Sequence, residues 1–103
     1  MVSIVWTETA NNNLISIRRY IAADSELQAD RVLEGIYSKA QILMRFPEIG
    51  KVIKELPRGP YRELLYYHYR IIYRVTEGHI YIMTIEHSSR LLRNNSFFKN
   101  ILR

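Results

Sequence analysis

The apolar pattern of this chain changes period midway, and that change is the strongest constraint on its fold. Ala10, Leu14, Ile17 and Ile21 recur at spacings of 4, 3 and 4, which puts one apolar stripe along a helix. Ala29, Leu33, Ile36, Ala40 and Leu43 repeat the stripe at 4, 3, 4 and 3. Thr7 offers a side-chain oxygen to cap the first helix, and Glu8 sets negative charge near its positive end. Asp24-Ser25 breaks the pattern, and Ser25 followed by Gln28 is a capping-box signature for the second helix. Phe46-Pro47 and Gly50 end it. So short a link makes the helices an antiparallel hairpin with both stripes facing one core.

Beyond Gly50 the period falls to two. Tyr61 to Tyr67, Tyr69 to Val75 and His79 to His87 are rich in Tyr, Ile and Val, with reversals at Tyr67-His68 and Glu77-Gly78, and they read as a three-stranded antiparallel meander. Val2, Ile4 and Trp6 alternate with Ser3 as a short opening strand. Lys51 to Leu56 reads either as an irregular edge strand or as an extended loop, marked off by Pro57, Gly59 and Pro60. The run Ser88 to Arg103 is polar and basic, with Leu91, Leu92, Phe97, Phe98 and Ile101 scattered through it; it is either a short docked helix or a tail that folds on a partner. The expected architecture is α+β: an N-terminal strand, an antiparallel helical hairpin packed on one sheet face, then a β-meander. With 103 residues it is one domain, 1–103, with 91–103 as a basic C-terminal extension.

Composition removes several function classes. The chain has no cysteine, which excludes disulfides, thiolate catalysis, Cys-ligated zinc and iron–sulfur clusters. His68, His79 and His87 have no second ligand at a metal-site spacing, so no metal or cofactor is expected. The start, Met1 to Trp6, is too short for a secretory signal and lacks its basic residues, and no apolar run approaches membrane-spanning length. The expectation is a cytoplasmic protein with no membrane partner.

The net charge of +5 is unevenly spread. Residues 1–51 are neutral, whereas residues 52–103 carry nine basic groups against four acidic ones and hold the whole excess. Arginine outnumbers lysine eleven to four, which favours planar, bidentate contact with phosphate or carboxylate. A partner of acidic or phosphate character is expected.

A two-residue loop at Glu77-Gly78 sets Thr76 opposite His79, Val75 opposite Ile80, Tyr73 opposite Ile82 and Arg70 opposite Ile85. One sheet face then shows Tyr69, Ile71, Tyr73, Val75, Ile80 and Ile82, and belongs under the hairpin. The other shows Arg70, Ile72, Arg74, Tyr81, Met83, Ile85 and His87. Turning at Tyr67-His68 lands Glu63 across from Ile72 on that second face, diagonal to Arg70 and Arg74. The expected site is therefore a carboxylate, two guanidiniums and an imidazole over an open apolar floor. Arg70 either contacts a phosphate or a partner's carboxylate, or pairs with Glu63 or Glu86.

Val5-Trp6-Thr7-Glu8-Thr9-Ala10, Tyr20-Ile21, Phe46-Pro47-Glu48-Ile49-Gly50-Lys51, Arg62-Glu63-Leu64, Tyr69-Arg70-Ile71-Ile72-Tyr73-Arg74-Val75, and His87 with Arg90 together resemble the ParE/RelE superfamily of bacterial toxins, in order from about residue 4 to residue 92. The resemblance implies the toxin half of a type II toxin–antitoxin pair, neutralised by a cognate antitoxin whose C-terminal segment wraps it. It also implies one of two activities: poisoning of DNA gyrase (ParE-like) or cleavage of mRNA on the translating ribosome (RelE-like).

RNA cleavage needs a base for the 2′-hydroxyl, an acid for the leaving oxygen and a cation for the phosphorane. Glu55 or Glu63 is the candidate base, His87 the acid, and Arg70 or Arg74 the cation. The chain departs from the nuclease branch, where a tyrosine often lies near the chain end beside a histidine; here Ser88 follows His87. The Arg-Glu-Leu, Tyr-Arg-Ile-Ile-Tyr-Arg-Val and His-x-x-Arg pattern looks more like the ParE branch, which implies Arg62, Arg70, Arg74 and Arg90 as target-binding residues and no catalytic constellation. Leu91 stands where the family usually has Asp. The remaining alternative is a non-toxic basic interaction module of the same fold.

Overall fold

A computed structural model describes residues 2–88 of the chain. The expected extension at 91–103 and the expected target contact Arg90 lie outside the described residues.

The two helices begin where their caps are. Thr7 Oγ1 accepts the Ala10 N–H at 3.2 Å and donates to the Ile82 carbonyl at 2.8 Å. Its hydroxyl thus starts helix α1 (Glu8–Ala22) and ties that start to the sheet. Ser25 Oγ accepts the Gln28 N–H at 3.1 Å and opens α2 (Glu26–Gln41), which tightens into a 3₁₀ turn at Ile42–Met44 before the Phe46-Pro47 break. Among the described residues no helix is long and apolar enough to cross a membrane.

Strand β1 (Ser3–Trp6) precedes the hairpin, and β2 (Lys51–Val52), β3 (Tyr61–Tyr66), β4 (Tyr69–Thr76) and β5 (His79–His87) follow it. The sheet order is β1-β5-β4-β3-β2, with β1 parallel to β5 and the other neighbours antiparallel. The ambiguous stretch after Gly50 is therefore a two-residue edge strand followed by a loop. Ala10, Leu14, Ile36, Ala40 and Leu43 of the hairpin region pack on Leu64, Ile71, Tyr73, Ile80, Ile82 and Ile85. The expected face is the one the hairpin covers.

The other face differs from expectation in two ways. First, its apolar floor is roofed: Ile53 is fully buried and, with Leu56, joins Tyr61, Ile72 and Met83 in a second, smaller cluster. Second, β5 bulges. Pairing runs as expected from Thr76↔His79 to Tyr73↔Ile82, then resumes at Ile72↔Thr84 with Met83 as the extra residue. One extra residue reverses the parity of everything beyond it. Arg70 therefore faces Glu86 rather than Ile85, and His87 stands opposite Tyr69. Ile85, 3% exposed, joins the main core. The bulge lets both Ile82 and Ile85 bury under the helices, which strict alternation forbids.

Candidate functional site

On the sheet face away from the hairpin, Arg70 is only 6% exposed. Glu63 reaches it diagonally from β3, where it stands opposite Ile72 as expected. Arg70 Nε and Nη2 donate to the two Glu63 carboxylate oxygens at 2.9 and 3.0 Å, and Nη1 and Nη2 donate to those of Glu55 at 2.8 and 3.0 Å. One guanidinium thus holds two carboxylates in bidentate fashion. Glu55 is brought there by the loop after β2, which is anchored by the buried Ile53 and by the Leu56 N–H bond to the Ile53 carbonyl. Hydrogen bonds from Arg70 hold the Glu55 carboxyl below its ordinary pKa against the opposing effect of burial. The same bonds push the Arg70 pKa further above its already high value. Of the pairings open to Arg70 on sequence grounds, the one with Glu63 is realised, with Glu55 as a second partner.

The remaining expected residues are placed as follows. Arg74 is on the same face as Arg70, opposite Tyr61 and Tyr81, and is exposed. Arg62 pairs with Tyr73 in register and so belongs to the other face. It donates to the Gly50 carbonyl at 2.8 Å and to the Glu48 carbonyl at 3.3 Å, tying the chain before β2 to the sheet. His87, expected beside Arg70, is on the opposite face because of the bulge. Its ring stacks on His68 at 5.8 Å and meets Tyr69 edge-on at 5.5 Å. The expected convergence of carboxylate, guanidinium and imidazole is thus corrected: Glu63 and Arg70 come together, but the sheet separates them from His87.

His87 instead lines a cleft of about 520 Å³ between α1 and the far end of the sheet. Asn13, Ser16, Ile17 and Tyr20 line it from α1, at the i, i+3, i+4 and i+7 positions of one helical face. From the sheet come Tyr69, Ile85, Glu86 and His87. Asn13 Oδ1 accepts from the Thr84 hydroxyl at 2.8 Å and from the Ile85 N–H at 3.0 Å, so α1 grips β5 just past the bulge. Burial, with a smaller contribution from Tyr20, pushes the Tyr69 phenol pKa up. Sequence reasoning did not single out Asn13; its signal was an asparagine inside a helix, where the residue is unfavourable unless its side chain has a partner. Among the described residues no group of three or more His, Asp or Glu is arranged to hold a metal.

Residues 4–92 match the family model described as ParE toxin of type II toxin-antitoxin system, parDE. A curated relative, Toxin RelE2 of Caulobacter vibrioides, is 36% identical over 92 residues, covering 88% of this chain and all of that protein. Among solved structures, a chain of the chromosomal ParDE toxin–antitoxin system from P. aeruginosa superposes with a TM-score of 0.68 at 22% identity, covering 84% of this chain and 96% of its own. A chain of the toxin–antitoxin complex RelBE2 from Mycobacterium tuberculosis gives 0.58 at 20% identity with the same coverage.

Proposed function

The chain belongs to the ParE family, a toxin of a type II toxin–antitoxin system, and from that premise we propose that it stops growth by binding and poisoning DNA gyrase in the cytoplasm until a cognate antitoxin neutralises it. The observation that carries this reading is the division of the nuclease candidates between two sheet faces. Glu63 and Arg70 share one face, while His87 lies beyond the sheet next to Tyr69. A general acid and base must both reach one reacting phosphate, and Glu63 already gives both oxygens to Arg70. A toxin that acts by surface contact needs no such convergence. In this reading Arg74 makes the target contact, whereas Arg70 and Arg62 act by holding the surface in shape.

A second reading has specific support from the 36% identical relative, which bears the name RelE2: cleavage of mRNA on the translating ribosome, with Glu63, Arg70 and His87 as the candidates. Two assays separate the readings. Purified toxin is added to a gyrase supercoiling reaction and to a translating ribosome extract. The first reading expects stalled gyrase–DNA cleavage complexes and intact mRNA; cut mRNA with normal supercoiling replaces it by the second. Normal growth of cells accumulating the soluble chain without antitoxin would leave only the non-toxic interaction module.

A further inference from the structure

We propose that the cleft between α1 and the bulged end of β5 is a binding site for a nucleobase. The bulge creates it, because the parity change after Met83 turns Ile85 and His87 toward α1, and bulges recur where a strand must re-aim side chains. Tyr20, 81% exposed, stands at its rim, opposite the half-buried Tyr69 and the His87 ring. Ile17 and Ile85 supply apolar floor. Flat aromatic walls over an aliphatic floor fit a planar ring, and every base has a face that stacks on such walls.

The polar groups narrow the class further. A backbone N–H can only donate, so the Ile85 N–H bond fixes Asn13 with its oxygen toward β5. The Asn13 NH₂ is then the end left as a donor. The Ser16 and Tyr69 hydroxyls serve as donor or acceptor, and burial keeps the Tyr69 phenol neutral. A plain phenyl ring would leave these groups unanswered; a base, with ring nitrogens and exocyclic oxygen or nitrogen, answers them. Phosphate is disfavoured, since no lysine or arginine lines the cleft among the described residues, whereas Glu86 does. The volume suits a small ligand. This inference does not depend on the gyrase reading.

The test is a heteronuclear NMR titration of the full-length chain with adenosine, guanosine, cytidine and uridine, and separately with short single-stranded RNA and DNA. Saturable shifts of the Asn13 side-chain NH₂ and of the Tyr20 and Tyr69 rings are expected with at least one of them. Equal affinity for nucleoside and strand assigns a free nucleoside; tighter binding of the strand at the same resonances assigns a base within a chain. Asn13→Asp keeps the oxygen that Thr84 and Ile85 need but removes the donor, and should weaken binding about tenfold or more. Tyr20→Ala, at an exposed position that threatens no folding, should weaken it similarly, and Leu27→Ala, exposed elsewhere, should not. Absence of saturable shifts at millimolar ligand, shifts confined to residues outside the cleft, or wild-type affinity in both cleft variants overturns the proposal. Growth arrest and gyrase poisoning, measured separately, are unaffected by that failure.

Discussion

Truncating Arg70 to alanine removes the guanidinium between Glu55 and Glu63, whose side chains are only 18% and 16% exposed. Removing one partner of such a buried network strands the others, at a typical cost of about 3–5 kcal/mol. The rim position of the two carboxylates, which can turn toward water, places Arg70→Ala at the low end, about 3 kcal/mol. Loss of toxicity in that variant would therefore report lost fold. Arg74→Ala is the cleaner test of target contact: it should leave the melting temperature within about 3 °C of wild type, as surface substitutions generally do, and weaken growth arrest. Thermal denaturation beside a plating assay checks both. Glu55 adds a pH signature. Its folded pKa lies below its unfolded value, so its contribution is present above about pH 4.3 and is lost as pH falls through the folded pKa. Urea unfolding should show wild type more stable than Glu55→Gln near neutrality, with the gap closing on acidification. The diagonal of Glu63 to Arg70 was legible in the sequence because it depends only on a two-residue turn and strand parity. The second partner, Glu55, was not, because a loop contributes it and no periodicity reports where a loop folds back.

At the level of elements, the chain leaving the hairpin meets the sheet at one close approach, at Gly50. The buried Gly50 N–H donates to the Tyr73 hydroxyl at 2.9 Å. A Cβ at position 50 would lie 2.5 Å from the Glu63 carbonyl oxygen and 2.6 Å from the Tyr73 hydroxyl. The first of these is backbone in a paired strand and cannot step aside, so Gly50→Ala should cost about 1–3 kcal/mol by overpacking. Tyr73→Phe leaves the Gly50 N–H without an acceptor, a loss of similar size, and carries a second readout. Burial raises the Tyr73 phenol pKa, so its stabilisation is full below about pH 10 and is lost as pH rises through the folded pKa. The stability of wild type should therefore fall more steeply above that pH than that of Tyr73→Phe. Tyr69, raised by burial as well, leaves a smaller residual slope in the variant. Helices, caps and turns were legible because each is written locally: a stripe, a Ser or Thr, a Glu-Gly. The bulge at Met83 was not. Met, Thr and Ile at 83–85 are all compatible with either face, and the choice was made by Asn13 on a distant helix and by the core's demand for Ile85. That single residue moved His87 across the sheet.

For the molecule as a whole, the topology joins the start of the described chain to its end. Strand β1 lies beside β5, with Trp6 opposite Ile82, at the edge of the sheet. Trp6, the single tryptophan, also meets the Tyr37 ring of α2 edge-on at 4.7 Å. Its environment thus depends on the helical hairpin, the first strand and the last strand together. Neither half of the charge-divided sequence can bury its apolar surface alone, since the stripes of α1 and α2 pack against Leu64, Ile71, Tyr73 and the β5 isoleucines. A chain in which every layer requires the others should unfold in one step. Tryptophan emission and far-ultraviolet circular dichroism should therefore give superimposable urea transitions with one midpoint. If the hairpin were an autonomous unit, the emission shift would come at lower urea than the loss of helical signal. Trp6→Ala sharpens the test: loss of a half-buried aromatic should lower stability by about 2 kcal/mol, below the 3–5 typical of a fully buried one. It should shift the whole dichroism curve to lower urea without splitting it. A biphasic curve in that variant would mean that the first strand docks on an already folded core, and that the cooperativity between the chain's two ends is weaker than the parallel β1–β5 pairing implies.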